Sequence, residues 1–170
     1  MGDRTQVRLA YSASSIQPGV FGIIHPVLLL PEGMSDRLSD AELEAIIAHE
    51  LAHVRRRDNL FSAIHMFVEA LFWFHPMVWW IGAKLIQERE RACDEDVLSM
   101  GKDPQAYALG ILKVYELYLE SPLACIAGVT GADMKKRIHT IMAHHIGRKL
   151  SFRKRLLLVG AGTLALAAPL

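Results

Sequence analysis

Hydrophobic positions along the chain follow three successive rhythms. Near the N-terminus, Val7, Leu9 and Tyr11 alternate with Arg8 and Ala10, the two-residue period of a half-buried strand. Ser12 to Gly19 is a loop rich in Ser, Pro and Gly. Val20–Ile24 and Val27–Leu30 are short apolar runs, broken by His25-Pro26 and closed by Pro31. Together these segments predict a small antiparallel sheet or hairpin.

The period then becomes helical. Ser39-Asp40-Ala41-Glu42 is a capping box, and Leu43, Ile46, Ile47, Leu51 and Val54 follow on one stripe, predicting a helix to about Arg57. Leu60 to Phe74 is almost wholly apolar, apart from Ser62, His65 and Glu69. His75-Pro76 breaks it, and a second helix is expected to run to about Met100. Neither apolar half reaches the ~20 residues of a membrane span. Phe72, Trp73, Phe74, Trp79 and Trp80 surround the break, which suits a buried hairpin or a helix at a membrane interface. Gly101 to Pro104 is a turn. Gln105–Glu120 is an amphipathic helix, Ser121–Gly131 a loop of small residues, and Asp133 to about Gly147 a further helix.

The third rhythm is a continuous apolar run from Leu156 to Leu170, preceded by Arg153-Lys154-Arg155. It reads as a transmembrane helix cut off by the end of the chain; a buried C-terminal helix is the alternative. Basic residues before such a helix favour the cytoplasmic side for what precedes it. The expected organisation is one domain over residues 1–150 and a basic juxtamembrane segment with the start of a membrane helix over 151–170. The expected fold class is α+β, mainly α, with a small N-terminal β-hairpin or sheet.

Composition adds two limits. The net charge of +1 gives no global case for nucleic acid, although Arg148 to Arg155 and Arg55-Arg56-Arg57 are locally basic. Before an apolar run, the first of these clusters suits anionic lipid better. Two cysteines, Cys93 and Cys125, make no CxxC spacing and no disulfide framework.

The candidate chemistry lies on the capped helix, in His49-Glu50-Leu51-Ala52-His53. Residues four apart share a helix face, so both imidazoles can hold one zinc ion and Glu50 can act as base towards water beside it. A catalytic zinc takes three protein ligands. A histidine six residues after the second would mark a metzincin, but position 59 is Asn59. Glu90 and Asp94, four apart on the later helix, are candidates for a ligand and for a carboxylate behind a zinc histidine. On spacing alone, a solvated face pairing with Arg89 and Arg91 explains them equally well. Tyr107, Arg137 and His139 are candidate donors to a developing oxyanion, with Arg137 preferred. His65 and Glu69 are expected to be a hydrogen-bonded pair rather than a second metal site, and Cys93 a packed thiol. His144-His145 is expected at the surface.

The zinc motif with Val54-Arg-Arg-Arg-Asp58, the stretch His75-Pro-Met-Val-Trp-Trp80 and Glu90-Arg-Ala-Cys-Asp94 resemble the peptidase domain of the BlaR/MecR family of bacterial membrane gluzincins. Gly19 to Pro31 and Met134-Lys-Lys-Arg-Ile138 are weaker matches to the same family. The resemblance implies His49, His53 and Glu90 as zinc ligands, Glu50 as catalyst, and a structural role for Asp58 at the helix end. It implies a protease facing the cytoplasm from the inner membrane that cleaves itself or a DNA-binding repressor. Expected partners are a peptide or protein substrate and the membrane, with a second copy of the chain as a further candidate and no direct nucleic-acid contact. The family's earlier membrane helices and its later sensor are absent, so the chain is expected to be a piece of a longer protein. Alternatives are a membrane quality-control protease of the heat-shock type, from which Cys93 differs where alanine is usual, and a signalling scaffold, which would not need Glu50.

Overall fold

In the computed structural model, residues 6–13, 17–119 and 131–143 are described. Three strands come first, β1 (Arg8–Ser12), β2 (Gly19–Phe21) and β3 (Val27–Pro31), followed by helices α1 (Met34–Arg37), α2 (Asp40–Arg56), α3 (Asp58–Leu71), α4 (Pro76–Ser99), α5 (Pro104–Leu119) and α6 (Gly131–Met142). The result is mainly helical with a small sheet, an α+β arrangement.

The sheet order is β1-β3-β2. It corrects the expected all-antiparallel sheet: β2 pairs antiparallel with β3, but β1 pairs parallel with β3, from Arg8 opposite Val27 to Ser12 opposite Pro31. The short connection from β2 to β3 supplies the one reversal. It turns at Gly22, whose φ of 89° and whose absent Cβ, which would lie 2.7 Å from the His25 carbonyl oxygen, admit only glycine. The loop before β2 leaves β1 on the far side of β3, running the same way. Central β3 therefore buries Leu28 and Leu30.

The core joins that sheet to α2, the end of α4, α5 and α6 through Ala45, Ile46, Val97, Ile111, Val114 and Ile141. The start of α2 is fixed as its sequence predicts. Ser39 N–H donates to Glu42 Oε2 at 2.8 Å, and Glu42 N–H donates to Ser39 Oγ at 3.4 Å. Helix α5 lies close against α2 because Gly110 has no side chain; a Cβ there would stand 3.3 Å from Glu42 and Ile46. The same contact brings Lys113 Nζ within 2.7 and 2.9 Å of the two Glu42 carboxylate oxygens.

Helices α2 and α3 meet at Arg57, the only non-glycine residue with positive φ among the described residues (φ 57°). Its N–H caps α2 by donating to the carbonyl of Val54 at 3.0 Å. Among the described residues, no helix is long and apolar enough to cross a membrane. The apolar run expected to form a membrane helix lies outside the described residues, as does His144-His145.

Two expectations follow from the α2–α5 contact. Gly110→Leu should lower unfolding stability in urea by ~1–3 kcal/mol, because neither helix can give way without repacking. The Lys113 hydrogen bond, then the Ser39 N–H, holds the Glu42 carboxyl below its ordinary value of 4.5. Its stabilisation is therefore present above that value and lost as pH falls through the lower folded-state value. In thermal melts across the acid range, Glu42→Gln should be less stable than the parent at pH 7 and should lose less on acidification.

Candidate metal centre

His49, Glu50 and His53 lie in the middle of α2, within its regular hydrogen-bonded turns. The one-turn spacing stacks the two imidazoles edge to face, with ring centres 4.8 Å apart at 88°. Their Nε2 atoms converge to 3.2 Å. From α4, Glu90 brings Oε2 within 3.4 Å of His49 Nε2 and Oε1 within 3.6 Å of His53 Nε2. These three side chains form a group with the donor atoms and spacing to hold one metal ion.

The geometry permits a test of fit. Two ligands each ~2.1 Å from a shared tetrahedral zinc lie ~3.4 Å apart. All three separations, 3.2, 3.4 and 3.6 Å, are close to that figure. The donor set of two imidazole nitrogens and one carboxylate matches a catalytic zinc site with one position open.

The far nitrogen of each ring is held separately. His53 Nδ1–H donates to Asp58 Oδ2 at 2.7 Å. His49 Nδ1–H donates to the Tyr107 hydroxyl at 2.8 Å, and that hydroxyl donates to Asp94 Oδ1 at 2.5 Å. Asp94 Oδ1 also lies 3.3 Å from His49 Nδ1 directly. With both Nδ1 atoms protonated, both Nε2 lone pairs face the same point. Arg137, on α6, closes this side: its Nε and Nη2 donate to Asp94 at 2.9 and 2.7 Å, and Nη2 lies 3.2 Å from His49 Nε2.

The charges respond to this packing. Burial works against ionised Asp94, but hydrogen bonding to His49 and the Arg137 charge outweigh it and bring its pKa to about 2. Burial likewise opposes ionised Glu90, and the His49 hydrogen bond with nearby positive charge outweighs it, to about 2. Glu50 is different. Burial, which outweighs the nearby positive charge of His49 and Arg137, pushes its carboxyl up to about 7. Glu90 thus stays ionised beside the two imidazoles while Glu50, on the other helix, titrates near neutrality. The group opens onto a cleft of about 900 Å³ between the β2 edge and α6, with Val20, Asn59 and Arg137 on its walls.

A second cluster, His53, Asp58 and Cys93, shares His53 with the first. It uses the Nδ1 side of the ring, which Asp58 occupies. Cys93 is fully buried, and burial, reinforced by the charge of Asp58, pushes its thiol well up. It remains a thiol, 3.3 Å from His53 Nδ1 and donating to Asp58 Oδ2 at 3.7 Å.

The structure thus brings His49, Glu50, His53, Glu90, Asp94 and Arg137 to one place. Of the other oxyanion candidates, Tyr107 is fully buried beneath His49 and His139 is exposed. His65 and Glu69 pair at 3.3 Å, away from the centre. Two contacts escaped the sequence reading: Asp58 as the partner of His53, and Tyr107 as the link from His49 to Asp94. The first depends on a left-handed turn at an arginine, where no glycine signals one. The second depends on how closely α5 packs against α2.

Residues 1–141 match the BlaR1 peptidase M56 family. The methicillin resistance mecR1 protein of Staphylococcus aureus is 30% identical over 97 residues, covering 57% of this chain and 17% of that protein. Regulatory protein BlaR1 of Bacillus licheniformis is 33% identical over 93 residues, 55% of this chain and 15% of that protein. Protease HtpX homolog 2 of Methanosarcina mazei is 37% identical over 71 residues, 42% of this chain and 22% of that protein. The chain thus spans only a small part of the length of the relatives it matches.

The outer contacts carry an expectation of their own. Asp58→Ala should weaken zinc affinity by ~10–100-fold, measured by competition with a chromophoric chelator, because the His53 ring loses its anchor. Cys93→Ala should leave zinc stoichiometry unchanged; a loss of metal in that variant would make the thiol a ligand.

Proposed function

The chain belongs to the BlaR1 peptidase M56 family, and from that membership we propose that it is the zinc endopeptidase domain of a membrane-bound signal-transducing protease. The observation that carries the reading is the convergence of His49, His53 and Glu90 at the spacing of a three-ligand zinc site, with Glu50 beside it. In this reading those three residues are the ligands, Asp94 and Tyr107 orient His49, and Asp58 orients His53. The helix-borne ligands and the sheet beside them make a zincin-like domain over residues 1–150. The sequence of residues 151–170, basic and then apolar, supports a membrane-proximal position for this end of the chain.

Zinc, when bound, supplies Lewis acidity towards a peptide carbonyl and makes a nearby water easier to deprotonate. The chain's own residues do the rest. Glu50, desolvated and titrating near neutrality, takes the proton of the attacking water and returns it to the leaving amine. Arg137, held by Asp94, keeps Nη1 on the Glu90 side of the cleft, 3.4 Å from Oε2, and donates to the oxyanion that develops on the substrate. The cleft is large enough for an extended peptide segment.

The basic residues Arg153, Lys154 and Arg155 support a domain on the cytoplasmic face of the inner membrane. The substrate there is the protein itself or a DNA-binding repressor, and pairing of two copies suits self-cleavage between molecules. A second reading, membrane quality control, is favoured by the 37% identity to an HtpX protease homolog.

Glu50→Gln should keep zinc bound while proteolysis falls by ~10²–10⁴-fold. Glu90→Ala should lose zinc by elemental analysis and activity with it. Full zinc occupancy and full activity in Glu90→Ala would overturn the ligand assignment. Cleavage of a co-expressed repressor by the parent but not by Glu50→Gln separates the signalling reading from quality control, in which unfolded membrane proteins are cut and the repressor is spared.

A further inference from the structure

The helical hairpin α3–α4 is built inside out. On α3, Ser62, His65 and Glu69 recur at spacings of three and four and face the partner helix. His65 pairs with Glu69 against Gly82 of α4, where a Cβ would collide with both side chains at 2.6 Å. Ser62 accepts a hydrogen bond from Arg89 of α4. The polar groups are therefore inside. The apolar side chains are outside: Phe61 is 63% exposed, Phe67 66%, Trp73 68% and Trp80 60%, against 18% for the His65 side chain.

Exposure on this scale is not one docking stripe. Met66, Phe67 and Val68 are consecutive, so at ~100° per residue they splay over ~200° of the helix, and all three are exposed. A single protein groove covers one face of a helix; a solvent of hydrocarbon covers all of it. Several polar groups of the turn are also satisfied within it. Phe72 N–H donates to Val68 O at 2.9 Å, His75 N–H to Phe72 O at 2.9 Å, and Met77 N–H to His75 Nδ1 at 3.3 Å. The Trp79 indole N–H donates to the Trp73 carbonyl at 2.8 Å. Internal satisfaction of polar groups is what a low-dielectric medium demands. Between Leu60 and Ile86 the charged residues are Glu69, paired inside, and Lys84, near the root, where its stem can carry the ammonium back to water.

We propose that the α3–α4 hairpin inserts into one leaflet of a lipid bilayer, as a foot on which the metal centre stands. Fourteen residues of α3 extend ~21 Å and the eleven residues Pro76–Ile86, apolar apart from Lys84, ~16 Å, against a hydrocarbon core of ~30 Å. The hairpin enters the core and returns without crossing it. Its root is the end of α2, so the distance between His53 and the membrane surface is set by the Arg57 corner.

The chain contains three tryptophans, Trp73, Trp79 and Trp80, all in this hairpin, so intrinsic fluorescence reports on it alone. The full chain, diluted from detergent into phosphatidylcholine vesicles, should show a blue shift in emission. Emission should be lost in vesicles whose acyl chains carry bromine. Phe67→Gln with Leu71→Gln should reduce both effects while zinc binding, which reports the fold, is kept. Emission unchanged by vesicles overturns the proposal. So does co-flotation with vesicles without quenching, which would assign binding to the basic C-terminal segment, and so does a blue shift that follows protein concentration without lipid, which would assign the face to a second copy. The readout needs no turnover and is expected unchanged in Glu50→Gln, so its failure and that of the peptidase reading are distinguishable.

Discussion

Two imidazoles one helical turn apart aim the same nitrogen at one point only if the opposite nitrogen of each ring is held. Much of this fold serves that condition. Helix α4 brings Asp94 and α5 brings Tyr107 to His49, while the corner after α2 brings Asp58 to His53. The convergence of two lone pairs and a carboxylate is unfavourable unless a cation shares the space, so the surrounding packing must impose it. That packing is the sheet, α2, α5 and α6, with Gly110 letting α5 approach. The carboxylates behind the rings, Asp94 through Tyr107 and Asp58 directly, are buried acceptors, and each has its own compensation: Arg137 for Asp94, the His53 ring and Cys93 for Asp58.

Much of this was legible in the residues. Ser39 and Glu42 announced the start of α2 at the residue where it begins, and the four-residue spacing of His49 and His53 required only that the helix be regular. Pro76 marked the start of α4. Spacing alone leaves Glu90 and Asp94 ambiguous because charged residues four apart are common on solvated helices; the family resemblance implies a ligand, and the approach of α4 to α2 brings both carboxylates to His49. The direction of β1 was not legible, since alternation identifies a strand and its faces but not its neighbour. The role of Asp58 was obscured by the run Arg55-Arg56-Arg57, where nothing local signals that the last arginine takes a left-handed conformation. The hairpin was legible as apolar, but not which way its few polar groups point.

That last point divides the molecule into two physical regimes. The unit around α2 and α5 keeps Leu28, Ile46, Val97 and Ile111 inside. The hairpin keeps Ser62, His65 and Glu69 inside and presents its large apolar side chains outward. One chain satisfies both because the transition is sharp, confined to Arg57 on one arm and to the stretch Gln87–Arg91 on the other. The candidate ligands lie at this boundary: His53 is four residues before Arg57, and Glu90 is within the polar stretch of α4.

Asn59 has a separate effect on how the sheet meets other chains. Its amide donates to the carbonyls of Val20 and Gly22, both at 2.9 Å, along the outer edge of β2. An open strand edge is a template for pairing with any extended backbone, including the same strand of a neighbouring molecule. By taking up these two acceptors, one side chain leaves fewer groups on the β2 edge for a neighbouring strand to pair with.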